Sequence, residues 1–413
     1  MKLGAGRAEI RFPAGFFPTE GFSKLIHPLH VRAALIGESP IVLLSVEMTS
    51  LPDDETASLR ALCAQEAQTA IENTWVVVTH TFSAPHFMPD FLLKTDEERA
   101  RKAQLREAVH AAAREAIAGA KASAGDSVLG AAQGESGVAA SRDIELEEGW
   151  WVGCGGQGPV DRTLTVVRAQ AEGRTKALIL HLAVQSSVLD GLELSCGGKA
   201  VSGDLAGIAC AALEEKYPGA VVIFLVGAAG DAAPIRKAKG YAPDERGGYS
   251  MIDLGDAGIA LAERLGAQLA GEAERLIENG GFEAIEGTAS VRTRTFAAPA
   301  KKMNRNLHEL APCRRTVYEP DGEKEQTIEL LALGGFAILG VRPELTAVSA
   351  QRIADASPAQ HTLVATMVNG GAKYMADLSA YERCMYEAQN SPFAPGAAEL
   401  LEAQARELLS IMG

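Results

Sequence analysis

Short apolar runs rich in β-branched residues recur along this chain, each ending in a polar or glycine-rich turn, with Ala/Leu/Glu-rich stretches of helical spacing between them. This alternation predicts an α/β fold: a mixed, partly parallel sheet core with flanking helices and insertions. Residues 53–72 read as a helix feeding a strand at 74–79, and residues 94–121 as a long amphipathic helix. A second unit has a strand at 177–184, a helix at 204–217 with Asp204 as its N-cap, and a strand at 220–226. Further on, a helix at 256–278, strands at 289–296, 327–333, 336–341 and 362–368, and a final helix at 396–412 are expected. The Trp-containing stretch 143–158 and the charged stretch 317–326 read as long loops.

The 413 residues, 47% hydrophobic and 22% charged, describe a packed globular protein, read as one large domain over residues 1–413 because no linker-like composition divides it. Asp and Glu outnumber Lys and Arg by 53 to 39. The resulting negative field opposes nucleic acid and stable association with anionic membranes, which leaves a small-molecule substrate as the expected partner. Homo-oligomer formation stays open. Residues 1–7 lack the apolar core of a secretory signal, and no run reaches the roughly 18 apolar residues of a membrane span, so a cytoplasmic location is expected. The six cysteines show no CxxC spacing and read as reduced thiols.

Polar and glycine-rich residues gather where the predicted strands end, the edge on which α/β sheets carry ligands. Strand 74–79 delivers His80, Phe82 and His86. A histidine just past a buried strand can serve as a metal ligand, and a structural role is the competing reading. His181 and Gln185 share a strand face about 13 Å apart, too far for one ion, and His181 reads as a core histidine with a satisfied hydrogen bond. Gly227-Ala228-Ala229-Gly230-Asp231 forms a small-residue turn whose N–H groups could face an anion. Glu344 and Asn369 follow two further strands, and Tyr374, Tyr381 and Tyr386 recur in a segment otherwise poor in aromatics.

In order along the chain these pieces resemble the catalytic domain of the neutral (non-lysosomal) ceramidase family. The family's Thr-His-Thr-His-Ser motif is similar to Thr79-His80-Thr81-Phe82-Ser83, its Asn-Arg to Ser141-Arg142, its Gly-Asp-x-x-Pro turn to Gly230-Asp231-Ala232-Ala233-Pro234, and its Pro-Gly-Glu to Arg342-Pro343-Glu344. Tyr374, Tyr381 and Tyr386-Glu387 match its C-terminal tyrosine pattern. The family's large C-terminal immunoglobulin-like domain is not expected here.

The resemblance implies a zinc ion, or another divalent metal, held by His80, Glu344 and Tyr374, with the family's second ligand histidine replaced by Gln185. It further places Arg142 and Tyr386 facing the substrate. Together with the strand-end reading, Tyr374, Tyr386, Arg142 and Asp231 are expected as catalytic residues and Gln185, Phe82, His86, Gly230 and Asn369 as substrate contacts. Two departures separate the chain from ceramide chemistry: Phe82 stands where the family has a second histidine, and Ala233 where it has a serine. The implied activity is therefore hydrolysis of an amide or ester bond in a small polar substrate. A lyase or isomerase using a tyrosine acid/base, and a non-catalytic binding relative, are the alternatives.

Overall fold

The structure, a computed structural model, describes residues 1–303 and 310–412. The apolar runs form three principal sheets. In the first, the order is Thr74–Val78, Ile41–Val46, His30–Ile36, Lys2–Glu9, Gly125–Asp126, with only the first two strands parallel. The second runs Val221–Val226, Arg174–Leu182, Thr163–Ala171, Val128–Glu135, Glu283–Ile285, and again its first pair is parallel. The third places Ala289–Lys301, Pro320–Leu333, Phe336–Val341 and His361–Ala365 side by side, the last pair parallel. The mixed α/β architecture with flanking helices is thus present.

Strand periodicity explains how the layers stack, since successive side chains leave a strand on opposite faces. Ile41, Leu43 and Trp75 of the first sheet point into a central cluster shared with Ile179 and Ile223 of the second and Ile338 of the third. Their neighbours Val42, Leu44, Val76 and Val78 pack the other way, against the helices Asp53–Ala67 and Asp96–Ala122. In the second sheet Leu178, Leu180 and Phe224 face the helices Asp204–Lys216 and Ala257–Asn279. Each buried aliphatic side chain contributes roughly 1.5–3 kcal/mol relative to exposure. The two-sided burial is why these strands read as continuous apolar runs.

Several boundaries differ from expectation. The first helix stops at Ala67 because Gln68 adopts a left-handed conformation, φ 55°, and a single 3-10 turn, Ile71–Asn73, precedes the next strand. Asp204 is not the N-cap: Gly203 is, and Asp204 is the first helical residue. Its carboxylate accepts the N–H groups of Val188, Leu189 and Leu205, tying the loop after Gln185 to the helix start.

The stretch 143–158 is not a loop but continues a hairpin of Ala139–Leu146 with Gly149–Gly156, Trp151 lying opposite Ile144. Stretch 317–326 likewise enters the strand Pro320–Leu333, which pairs along Ala289–Lys301. Its first residues are exposed, so no apolar face marks them as strand in the sequence. No described helix is long and apolar enough to cross a membrane.

Candidate functional site

Two short parallel contacts beyond the main strands assemble the site. Glu344–Leu345 pairs with Tyr374–Met375, setting Glu344 directly opposite Tyr374, and Glu344 N–H donates to Lys373 O at 2.8 Å. An isolated parallel bridge sets Thr81 against Ser186, bringing the preceding residues His80 and Gln185 alongside. His80 has φ 57°, a left-handed conformation uncommon outside glycine. Arg142 arrives on the strand Ala139–Leu146, whose neighbour is Ala232–Pro234, and its backbone N–H donates to Asp231 O at 2.9 Å.

These side chains form one connected network. His80 Nδ1 lies 2.6 Å from Thr49 O, which assigns the ring proton there and leaves Nε2 facing Glu344 Oε2 at 3.3 Å. Gln185 Nε2 donates to Glu344 Oε2 at 2.8 Å. Arg142 Nη1 donates to Gln185 Oε1 at 3.3 Å and to Tyr374 Oη at 3.2 Å. Turning the Gln185 amide over would set its NH2 against the guanidinium and its oxygen against the carboxylate, so the network fixes its orientation. The Arg142 guanidinium also lies 4.8 Å from the Tyr374 ring centre and 5.4 Å from that of Tyr386. Tyr386 in turn packs edge-on against Tyr374 and Trp151.

Burial and charge oppose each other throughout. Burial alone would lower the pKa of His80, but the Glu344 carboxylate outweighs it and the imidazole titrates above its ordinary value. Burial would raise Glu344, yet His80 and then Arg142 hold it low. The Tyr374 phenol is raised, mainly by burial and against the pull of Arg142, and so keeps its proton.

Behind Arg142 sits a group of buried carboxyls. Burial and the neighbouring Glu387 raise Asp231 to about 8, and burial raises Glu387 to about 7 despite Arg142. Asp143 is also pushed up, again by burial first and then by the charge of Glu387. One guanidinium cannot hold all these groups ionised together, so protons settle on those beyond the reach of His80.

The spacing of His80 Nε2 and Glu344 is what two ligands with bonds of ~2.0–2.1 Å would show around a tetrahedral zinc, ~3.3 Å apart. His80 Nε2 also has no aligned hydrogen-bond partner. The rest of the donor set fails the test. Gln185 Oε1 and the Tyr374 hydroxyl are both engaged by Arg142, leaving one imidazole and one carboxylate where zinc enzymes use three strong protein ligands. Among the described residues no group of three or more His, Cys, Asp or Glu side chains is placed to hold a metal ion. The residues present therefore do not fit a zinc centre.

His80, Gln185, Glu344, Arg142, Tyr374 and Tyr386 converge, and Phe82 packs edge-on beside His80 with ring centres 4.7 Å apart. Other expected contacts lie elsewhere. Asn369 is a clamp for the strand Thr74–Val78: its side chain bonds Val76 N, Thr74 O and Glu329, which corrects its placement as a substrate contact. Gly230 also needs correction, since its N–H already donates to Leu345 O at 2.8 Å and cannot face an anion. The Asp231 carboxyl accepts Ala347 N–H at 2.9 Å and so secures a helix start, a structural tie in place of the catalytic role expected of it.

His86 bonds Glu20 and Thr49 at the edge of the site. His181 bonds Val364 O at 3.0 Å in the core. Sequence reasoning gave no role to Asp143, Glu387 or Thr49. The adjacency of the first two to Arg142 and Tyr386 was the available signal, whereas Thr49 acts through its backbone carbonyl and leaves no side-chain pattern.

A neutral ceramidase from Pseudomonas aeruginosa superposes with a TM-score of 0.76 at 17% identity, covering 100% of this chain and 74% of that one. A ceramidase complexed with C2 gives 0.75 at 16% identity with the same coverage. No protein-family model matches the chain, and no curated protein matches it in sequence. The chain has the neutral ceramidase fold.

Proposed function

We propose, taking the neutral ceramidase fold as premise, that this protein hydrolyses an amide or ester bond in a small polar substrate. The carrying observation is the unbroken buried chain of polar contacts from His80 through Glu344, Gln185 and Arg142 to Tyr374. Each of these residues is at most 6% exposed, so the network is shielded from bulk water and its charges act at full strength on a bound group.

In this reading the substrate carbonyl oxygen accepts the Tyr374 O–H. Arg142, by donating to the same hydroxyl, polarises it and makes it a stronger donor to the oxyanion that develops. The Glu344 carboxylate takes a proton from the attacking water, whose oxygen bonds to the carbonyl carbon. His80 enters the cycle as an imidazolium, its pKa raised by Glu344 against the effect of burial, and when the tetrahedral intermediate collapses the C–N or C–O bond breaks as Nε2 gives its proton to the leaving group. The proton on Glu344 then returns to His80, restoring the pair. Thr49 O keeps the imidazole oriented through Nδ1 for both transfers.

The test is turnover of p-nitrophenyl acetate and a panel of N-acetyl amino acids, with a short-chain ceramide in parallel. The reading expects hydrolysis of at least one small ester or amide, little of the ceramide, and loss of activity in His80→Asn. Equal rates in His80→Asn and wild type, or no turnover across the panel, would sink it.

A further inference from the structure

A second cavity, of about 710 Å³, opens between the end of the strand Gly149–Gly156, the segment after Ala232–Pro234, and the first turns of the helix Ala257–Asn279. That volume falls in the range of small-molecule sites. Its wall carries Arg162, Arg236, Lys237 and Arg264 and no aspartate or glutamate. In a chain whose acids outnumber its bases by 53 to 39, a concave surface with this composition runs against the average.

Two of the four cations have partners outside the cavity: Lys237 pairs with Asp190 at 2.9 Å, and Arg162 lies 4.0 Å from Glu135. The side chains of Arg236 and Arg264 have no ion pair among the described residues. Isolated exposed arginines usually form a solvated face. Here, however, they border a concavity that also has an apolar wall of Ile252, Leu254 and Leu261. The partial positive charge at the start of the helix Ala257–Asn279 adds to the field from the same side.

We propose that this cavity is a binding site for a small molecule bearing one oxyanionic group, phosphate or carboxylate, on an apolar body. The guanidinium groups of Arg236 and Arg264 grip the oxyanion through paired N–H donors, and the aliphatic wall covers the body. The site is separate from the His80 network and does not depend on the proposed hydrolysis. It shares the small three-stranded sheet with that network, because Ala140 lines the cavity two residues before Arg142 on the same strand.

Isothermal titration at low ionic strength with phenyl phosphate, benzoate and phenol tests the proposal on the full chain. Saturable one-to-one binding of phenyl phosphate or benzoate is expected, the tighter of the two identifying the anion, with no comparable binding of phenol. The double variant Arg236→Ala/Arg264→Ala, with both side chains at the surface, should melt like wild type and bind the anion about tenfold or more weakly. Wild-type affinity in the double variant, phenol binding as tightly as the anions, or no saturable heat with either anion would overturn it.

Discussion

Gln185 donates its amide N–H to Glu344 at 2.8 Å, and the bond decides the character of the whole site. With its NH2 committed to the carboxylate, the amide turns its oxygen toward Arg142. A permanent cation is thereby linked to Tyr374 and, through the amide, to Glu344. The cation beside these oxygens is the Arg142 guanidinium.

Replacing that amide should therefore change the metal chemistry. Gln185→His brings a second imidazole beside His80 and Glu344, completing three strong ligands. Zinc titration is expected to show at least about a tenfold gain in affinity, ~1.4 kcal/mol, over a weakly binding wild type. Equal affinities in two folded proteins would mean that residue 185 does not face the space between His80 and Glu344.

Tyr374→Phe removes the hydroxyl that is to hold the oxyanion and leaves the ring against Arg142. Loss of one such donor typically costs about 10²–10³ in rate. The fall is expected in kcat, with KM changed far less, on whichever small substrate the wild type turns over. A variant whose only defect is in KM would show that the phenol binds substrate without stabilising the transition state.

The buried carboxyls predict a pH dependence of stability. Glu387 has an ordinary pKa of 4.5 and is held at about 7 in the folded protein, chiefly by burial. Between those values the unfolded chain releases a proton that the folded chain keeps. The Glu387 contribution to stability therefore declines as pH rises from about 4.5 to about 7 and levels off above that. Glu387→Gln removes this slope, so its melting temperature should gain on wild type between pH ~5 and pH ~8, by a few kcal/mol at most in stability. A gap that stays constant over the range would place the Glu387 proton elsewhere.

Gly230→Ala tests the turn that follows the strand Val221–Val226. A Cβ there would lie 2.7 Å from the carbonyl oxygen of Leu345, a backbone atom with little room to move. Urea unfolding should show a loss of about 1–3 kcal/mol. Because Leu345 follows Glu344, the variant should also lose activity. An unchanged midpoint would mean that the two segments are less tightly packed than the structure has them.

The sequence by itself determined the layered α/β plan, because burial on both faces of a strand writes itself as a continuous run of Val, Ile and Leu. The strand Phe336–Val341 falls where the pattern put it, and Thr74–Val78 ends one residue early. The place of His80 just past the strand Thr74–Val78 was legible for the same reason, whereas Glu344 and Tyr374 each open a short strand, Glu344–Leu345 and Tyr374–Met375, that no apolar run announced. Elements without an apolar face were not: the ribbon start at Pro320 and the Trp150–Trp151 hairpin read as loops because their pairing is backbone hydrogen bonding, which any side chain permits. Only the tertiary structure decided which strand-end residues meet. Gly230, Asp231 and Asn369 sit in the same kind of turn as His80, yet each is used up by a backbone partner from a distant segment: Leu345, Ala347 and Val76. Hydrogen-bond satisfaction between residues more than a hundred positions apart has no signature in local pattern, and it separates the groups that support the site from those left to act within it.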